Sequence, residues 1–396
     1  MLLRIISNFP ETENHYGTVD RDQPGHYYDF RGKAQGCYNA AKSLPGKLLV
    51  QDRDERTNIE LRLDADVKVE YQNTNAANRE LPAPQRAAFS KVHSEKHIEG
   101  IKTAALKLKP GECNQNFGKE ADIWSGTYSA AISSLAACLT CVDFLAQDNS
   151  LRTRAFANVW PPGHHAEGAG KDGSADIAMG FCYFSNAAVA AMYARQLGLR
   201  TVVIDIDNHS GNGTRKSLMH EKDLAVVDFV YCSPFNEKRG GYLDGFFERK
   251  IQQVIGVARE FPYRQNDAAR GIKAHPVYTA SNILSLEFVG REYRQGVEQV
   301  EPAASPKQIL DRYSKEALPW IKDFNPQMVI WSIGLDSVFD DPLGALGFAP
   351  GTYYEIIQQT SSLLPDAKVM GVMEGGYKAE NWERCLWPAL YGLAGV

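Results

Sequence analysis

Asp207 and His209 lie two residues apart in the segment Asp205-Ile206-Asp207-Asn208-His209-Ser210-Gly211-Asn212-Gly213-Thr214, directly after a β-branched run. Side chains spaced that way at a strand end can turn toward one point, and a carboxylate with an imidazole suits zinc or a similar divalent ion. The same residues also suit a plain strand-to-helix loop, with Asp as a cap and Asn-Gly as a turn, and the segment alone leaves both readings open. A second cluster, Trp160-Pro161-Pro162-Gly163-His164-His165-Ala166-Glu167, sets two adjacent histidines behind a stiff turn. Histidine titrates near neutral pH, so paired imidazoles suit proton transfer; two solvated loop histidines are the plainer alternative. Asp336 follows the apolar run Met328-Val329-Ile330-Trp331-Ser332-Ile333 and could complete a three-ligand site that leaves a coordination position for water. Asp341, before Pro342, reads as a turn or cap residue. Met373-Glu374-Gly375-Gly376-Tyr377 closes the last apolar run on a Gly-Gly turn. Its tyrosine hydroxyl can donate to a developing oxyanion, or the ring can simply pack at a sheet edge.

These clusters need elements that bring their strand ends to one edge. Thr201-Val202-Val203-Ile204-Asp205-Ile206, Leu224-Ala225-Val226-Val227-Asp228-Phe229-Val230, the run before Asp336 and Lys368-Val369-Met370-Gly371-Val372-Met373 read as buried parallel strands. After Asn186 the run from Ala187 to Arg195 reads as a helix that stops near Gly198. The alternation predicts an α/β fold with helices on both faces of a parallel sheet, and such sheets place ligands at the carboxyl ends of their strands. Residues 52–85 are charged and Asn-rich and read as a surface excursion; residues 236–280, with a helix-like Phe246-Phe247-Glu248-Arg249-Lys250-Ile251, read as a second insertion. No repeat or linker divides the chain, so residues 1–396 are expected to form a single domain.

The chain is 396 residues long and 44% hydrophobic, enough for a large core. A net charge of −5 from 43 basic and 48 acidic residues gives no global field for nucleic acid or a membrane surface, and neither partner is expected. Met1-Leu2-Leu3-Arg4-Ile5-Ile6 holds too few apolar residues for a signal peptide, and no stretch reads as long enough for a membrane span, so a cytoplasmic location is expected. Seven scattered cysteines argue against a disulfide framework, and Cys138 with Cys141, inside an Ala-rich helical run, read as packed thiols.

Five segments, taken together and in order, resemble the family shared by histone deacetylases, acetylpolyamine amidohydrolases and their bacterial relatives. They are Pro162-Gly163-His164-His165-Ala166, Gly180-Phe181-Cys182-Tyr183-Phe184, Asp205 to Thr214, Gly334-Leu335-Asp336 with Asp341-Pro342-Leu343-Gly344, and Glu374-Gly375-Gly376-Tyr377. Weaker similarity reaches back through Val92-His93-Ser94 and Trp124-Ser125-Gly126-Thr127-Tyr128, so the resemblance covers roughly residues 85–235 and 280–390. It implies an arginase/deacetylase-like α/β domain with a mostly parallel eight-stranded sheet. It also implies zinc held by Asp207, His209 and Asp336, ligands that would equally suit ferrous iron. By the same resemblance His164 and His165 are the tandem catalytic histidines, His165 the general base and later the acid, and Tyr377 polarises the amide carbonyl. Asp205 would hold His164 and Asn212 would hold His165; an amide in that place leaves His165 nearer neutral and a better base. Asp205 with carbonyls of its loop resembles the family's monovalent cation site, which implies potassium. Gly180, Phe181 and Gly375 correspond to substrate-binding positions along a narrow channel. Leu343 stands where polyamine-selective relatives can carry an acid, which favours acyl-lysine or less charged substrates.

The chain departs from the family at Ser210, where many relatives have a second histidine, at Val230-Tyr231-Cys232-Ser233-Pro234-Phe235, and at its N-terminal stretch. The implied activity is hydrolysis of a peptide or small-molecule acylated amine. Acetylpolyamines and specialised-metabolite amides are alternative substrates, and a non-catalytic module that binds acylated ligands is the alternative from another class. Two-metal ureohydrolase chemistry needs further ligands that His209 beside Ser210 does not supply. Homo-oligomers are compatible with all of these readings.

Overall fold

The computed structural model describes residues 1–8, 30–51, 58–63, 67–73, 80–114, 117–118, 120–148, 153–168, 175–232, 280–289, 303–344 and 346–395. In chain order the elements are β1 (Leu2–Ser7), α1 (Phe30–Lys42), β2 (Lys47–Gln51), β3 (Asn58–Arg62), β4 (Lys68–Asn73), α2 (Ala83–Val92), α3 (Glu95–Leu106), β5 (Cys113–Asn114), β6 (Ile123–Trp124), α4 (Thr127–Gln147), β7 (Thr153–Asn158) and α5 (Asn186–Gln196). There follow β8 (Thr201–Asp205), α6 (Asn212–Leu218), β9 (Leu224–Cys232), β10 (Ile283–Val289), α7 (Pro306–Arg312), α8 (Leu318–Phe324), β11 (Met328–Ile333), α9 (Pro350–Leu363), β12 (Lys368–Met373) and α10 (Ala379–Ala394).

Eight strands form one sheet in the order β10-β9-β8-β11-β12-β7-β1-β4, and every neighbouring pair is parallel. The sheet expected to be mostly parallel is parallel throughout. Alternate residues of each central strand feed two cores. Val202, Ile204, Val329 and Trp331 pack with Tyr353 of α9 and Leu386 of α10, while Val203, Ile330 and Met370 pack with Leu135 of α4 and Met192 of α5. Helices α1 and α7 to α10 therefore cover one face and α2 to α6 the other. Fully burying such a side chain contributes roughly 1.5–3 kcal/mol, so strands buried on both sides are stiff supports for the loops that leave them. Four adjacent central strands, β8, β11, β12 and β7, carry at their carboxyl ends the segments singled out for chemistry.

Two expectations need correction. The excursion at 52–85 is in part woven into the fold: β3 pairs with β2, and β4 is the edge strand beside β1. Its charges are what an edge strand uses against unwanted pairing, and Arg4 faces Glu70 across the ladder at 3.4 Å. Helix α4, at 21 residues, is long and apolar enough to cross a membrane, contrary to the reading that no stretch is. Since 72% of its apolar window is buried inside the protein, it serves as the central helix of one core. Cys138 and Cys141 on α4 are wholly buried free thiols, as expected. The stretch at 236–280, apart from Ala280, lies outside the described residues, as does its helix-like segment.

A buried polar knot joins the corner between α2 and α3 to the segment leading into α5. The backbone N–H of Ser185 donates to His93 Nε2 at 2.9 Å, so His93 carries its proton on Nδ1, 3.1 Å from Asp176 Oδ1. Asp176 also accepts from the backbone and hydroxyl of Ser94, the residue that caps α3. His97 Nε2 lies 2.9 Å from the Tyr183 carbonyl.

Burial pushes His93 down to about 4, against the pull of Asp176 and with help from the charges of His97 and Lys216. Burial alone would raise Asp176, but its bonds to His93 and Ser94 hold it below the usual carboxylate range. Both groups are thus depressed in the folded state. The unfolded chain takes up His93's proton as pH falls through about 6.5 while the folded chain resists until about 4, a difference worth about 3 kcal/mol. Urea unfolding should show His93→Asn losing less stability than the wild type between pH 7 and pH 4.5, because the variant lacks the imidazole that the unfolded chain protonates there; parallel pH dependences would contradict the account.

Candidate active site

Three side chains from two strand ends converge first. Asp207 and Asp336 are wholly buried, and His209 Nδ1 lies 3.1 Å from Asp207 Oδ1 and 3.3 Å from Asp336 Oδ2. One ligand atom from each residue falls within 4.8 Å of the others. Two buried carboxylates at this range repel each other unless positive charge lies between them. Burial alone would lower His209, but its bonds to Asp207 and Asp336 hold it well above the imidazole range, so a proton does there what a metal cation would do. Two glycines keep the space open. A Cβ on Gly334 would stand 2.1 Å from Asp207 Oδ2, and one on Gly375 would stand 2.2 Å from Asp336 Oδ2. A donor set of two carboxylates and an imidazole, in a cradle without side chains, fits a divalent ion such as zinc or ferrous iron. Gly375 serves the cradle directly, since its N–H donates to Asp207 Oδ2 at 2.8 Å.

The tandem histidines flank this group. His164 Nδ1 meets Asp205 Oδ2 at 3.1 Å, and its Nε2 lies 3.8 Å from Asp207 Oδ1. His165 Nδ1 meets Asn212 Oδ1 at 2.6 Å, and its ring centroid lies 4.0 Å from that of His164 and 5.9 Å from that of His209. The two are driven apart electrostatically. Burial alone would lower His164, but Asp207 and Asp205 outweigh it and hold it well above the usual range. Burial and then the charges of His164 and His209 hold His165 well below that range. The two rings are thereby pushed in opposite directions, His164 toward the cation and His165 toward the neutral base, the pairing that acid–base sites are built from.

Tyr377 stands opposite Phe181, with ring centroids 6.1 Å apart. Phe181 has φ +65°, and Gly180 before it has φ +53° with the His165 ring 2.5 Å from where a Cβ would sit, so only glycine fits that approach. Leu343 is half-buried, and its carbonyl accepts from Asn208 Nδ2 at 3.3 Å. Every residue expected to take part is thus placed around one group of loops, Gly375 as part of the cradle.

Other participants escaped the sequence reading. Glu374, quoted only as part of a motif, is wholly buried and accepts from the backbone N–H of Gly163 at 2.8 Å and of His164 at 3.2 Å, tying the tandem-histidine turn to the end of β12. Asp341 is a turn residue as read, accepting from Leu343 N–H. It also accepts from Tyr377 N–H at 2.8 Å and Lys378 N–H at 3.2 Å, and so fixes the backbone that presents the tyrosine. Asn212 Nδ2 donates to Glu167 Oε1 at 2.9 Å, and Glu167 Oε2 pairs with Lys216 at 3.0 Å. The position of Glu167 two residues after His165 was the available signal.

His93, His97 and Asp176 form a second group with metal-ligand atoms within 4.8 Å. A metal at His93 Nδ1 would have to strip the proton held against Asp176, leaving an imidazolate, and the knot described above already satisfies these side chains. We assign that group to structure.

A family model described as Histone deacetylase domain matches residues 54–393. Histone deacetylase 6 of Caenorhabditis elegans is 27% identical over 291 residues, covering 72% of this chain and 26% of that protein. Histone deacetylase 15 of Arabidopsis thaliana is 28% identical over 292 residues, covering 73% and 43%. The matches thus span less than half the length of either relative. Among solved structures, the HD domain of HDA15 has a TM-score of 0.66 at 20% identity, covering 100% of this chain and 90% of that one. Acetylpolyamine aminohydrolase from Burkholderia pseudomallei has a TM-score of 0.64 at 18% identity, covering 98% of each. At such identities the structures establish a shared fold, arginase/deacetylase-like, while the domain match runs through nearly the whole chain and takes in all four loops of the site. On that extent of matching, this chain belongs to the histone deacetylase family.

Proposed function

We propose that the protein is a zinc-dependent amidohydrolase that deacylates an acylated amine such as acetyl-lysine. The observation that carries this reading is the meeting of a cation-demanding donor group with a neutral histidine whose far nitrogen is already committed. With Nδ1 against the Asn212 carbonyl oxygen, His165 holds its proton there and keeps the Nε2 lone pair as a base. Membership of the histone deacetylase family supports the same reading.

Asp207, His209 and Asp336 are the residues that would hold the ion. When bound, zinc supplies Lewis acidity, which makes water a stronger acid and draws electron density from an amide carbonyl. His165 accepts the proton of the attacking water and later gives it to the amine nitrogen, which is a poor leaving group as an anion. His164, cationic against Asp205, keeps positive charge beside the reacting atoms and discourages a proton on its neighbour. The Tyr377 hydroxyl donates to the carbonyl oxygen as that oxygen gains charge, and Asp341 holds the tyrosine's backbone in place for it. Phe181 and Tyr377 offer two ring walls for the methylenes of an acylated side chain. Leu343 brings no charge to attract a second ammonium, which supports acyl-lysine or a less charged amine over an acetylpolyamine.

Metal-loaded protein should turn over at least one of a panel of acetyl-lysine peptides, acetylpolyamines and simple amides. His165→Ala should lower kcat roughly 10²- to 10⁴-fold and Tyr377→Phe by a comparable factor, with metal content unchanged. Ligand binding without turnover, or variants as active as wild type, would identify a binding module instead. Elemental analysis should find one divalent ion per chain, zinc or ferrous iron, lost in Asp207→Ala and Asp336→Ala; undiminished metal in both variants would remove the ion from this site. Glu167 acts through Asn212, so Glu167→Met should lower kcat roughly 10- to 100-fold with KM held, and Glu167→Gln, which still accepts from the amide, should recover much of it. Equal losses in the two variants would mean that Glu167 serves folding alone.

A further inference from the structure

We propose that this chain carries its own monovalent cation beside the active site, the guanidinium of Arg215, in the place where the family resemblance implies a potassium ion. The inference concerns the support beneath the tandem histidines and holds whichever amide is the substrate.

Asp205 and Asp228 are directly paired in the parallel ladder between β8 and β9, and both are wholly buried. Paired residues on neighbouring strands send their side chains to the same face about 5 Å apart, so two carboxylates here repel and call for positive charge. Potassium would meet that need through oxygen lone pairs. Here the carboxylate oxygens are engaged by hydrogen donors instead. Asp205 Oδ1 accepts from Asp207 N–H at 3.1 Å, and its Oδ2 faces His164 Nδ1 at 3.1 Å. Asp228 Oδ1 accepts from Gly211 N–H at 3.2 Å, and its Oδ2 accepts from the Ser210 hydroxyl at 2.7 Å and from Arg215 Nη1 at 3.1 Å. Arg215, only 3% exposed, also donates to Ser210 Oγ at 2.9 Å.

Asp228, whose Oδ2 takes the guanidinium and a hydroxyl together, fits a fixed organic cation, and with His164 on Asp205 both charges of the pair are matched before any alkali ion would have to shed its water. A guanidinium stays protonated at every accessible pH and offers several N–H donors, so it supplies permanent charge with direction. The departure at Ser210, one residue past ligand His209, acquires a reason: its hydroxyl bridges Arg215 to Asp228 and secures the loop that carries the metal ligands. A side-chain donor also gathers backbone oxygens at the turn between α6 and β9. There the carbonyls of Leu218, Glu221 and Leu224 converge on Asn282 Nδ2 at 2.8, 3.4 and 3.0 Å.

The test is thermal melting of the metal-loaded protein in KCl, NaCl and choline chloride at matched ionic strength. Wild type should melt at one temperature in all three. Arg215→Gln should melt lower in choline chloride and gain about 2 °C or more specifically with added KCl, because an ion that binds only the folded state raises the melting temperature. If Arg215→Gln cannot be obtained folded, Arg215→Lys keeps the charge and should retain the wild type's indifference to potassium. A potassium-specific rise in the wild type or in Arg215→Lys overturns the proposal. So does an Arg215→Gln protein with the wild-type melting temperature in choline chloride.

Discussion

Burying carboxylates at the carboxyl ends of adjacent parallel strands is the constraint around which this protein is organised. Asp205, Asp207, Asp228, Asp336 and Glu374 are all wholly excluded from solvent in one region. An isolated charge in such a place is unaffordable by several kcal/mol, so each acid must have a dedicated partner. Asp205 has His164, Asp228 has Arg215 and Ser210, Glu374 has two backbone N–H groups, and Asp207 with Asp336 enclose His209. Only the last group keeps an arrangement suited to a divalent ion. The electrostatics that make the sheet edge expensive to fold are the same that push the tandem histidines in opposite directions, His164 toward the charged form and His165 toward the neutral one.

The fold places these partners economically. Strands β8, β11, β12 and β7 are neighbours in space although far apart in sequence, so the four loops that leave their carboxyl ends meet at one edge, the short ones after β8 and β12 beside the longer ones after β7 and β11. Their rigidity comes from burial on both faces of the sheet. Glu374 and Asp341 then transfer that rigidity by hydrogen bonds to the backbones carrying His164 and Tyr377. The knot at His93 does the same for the segment that carries Gly180 and Phe181.

The central strands β8, β9, β11 and β12 were legible because each is a predominantly apolar run, broken in β9 by Asp228 and in β11 by Ser332. Strand β4 was not, because an edge strand exposes half its side chains and Lys68, Glu70 and Gln72 read as loop. Helix α4 was legible as a helix, yet its length was underestimated because Ser and Thr residues interrupt its apolar surface. The metal group and the tandem histidines were visible through motif order. Their supports were not, since Glu167 with Lys216 and Arg215 with Asp228 are pairings fixed by how α6 packs, and no spacing rule links Arg215 to the neighbouring strand. The potassium expectation followed from motif likeness at Asp205 and the carbonyls of its loop, a likeness that carries no information on the guanidinium beside Asp228.

The central claim is that a single divalent ion belongs to Asp207, His209 and Asp336, while every other buried acid in the region is already satisfied from within the chain. Anomalous diffraction at the zinc edge, from crystals of the zinc-loaded protein, tests it most directly. The account predicts one strong peak among those three side chains and none at Asp205 and Asp228 or at His93, His97 and Asp176. A peak at either of the latter groups, or none at the first, would contradict it.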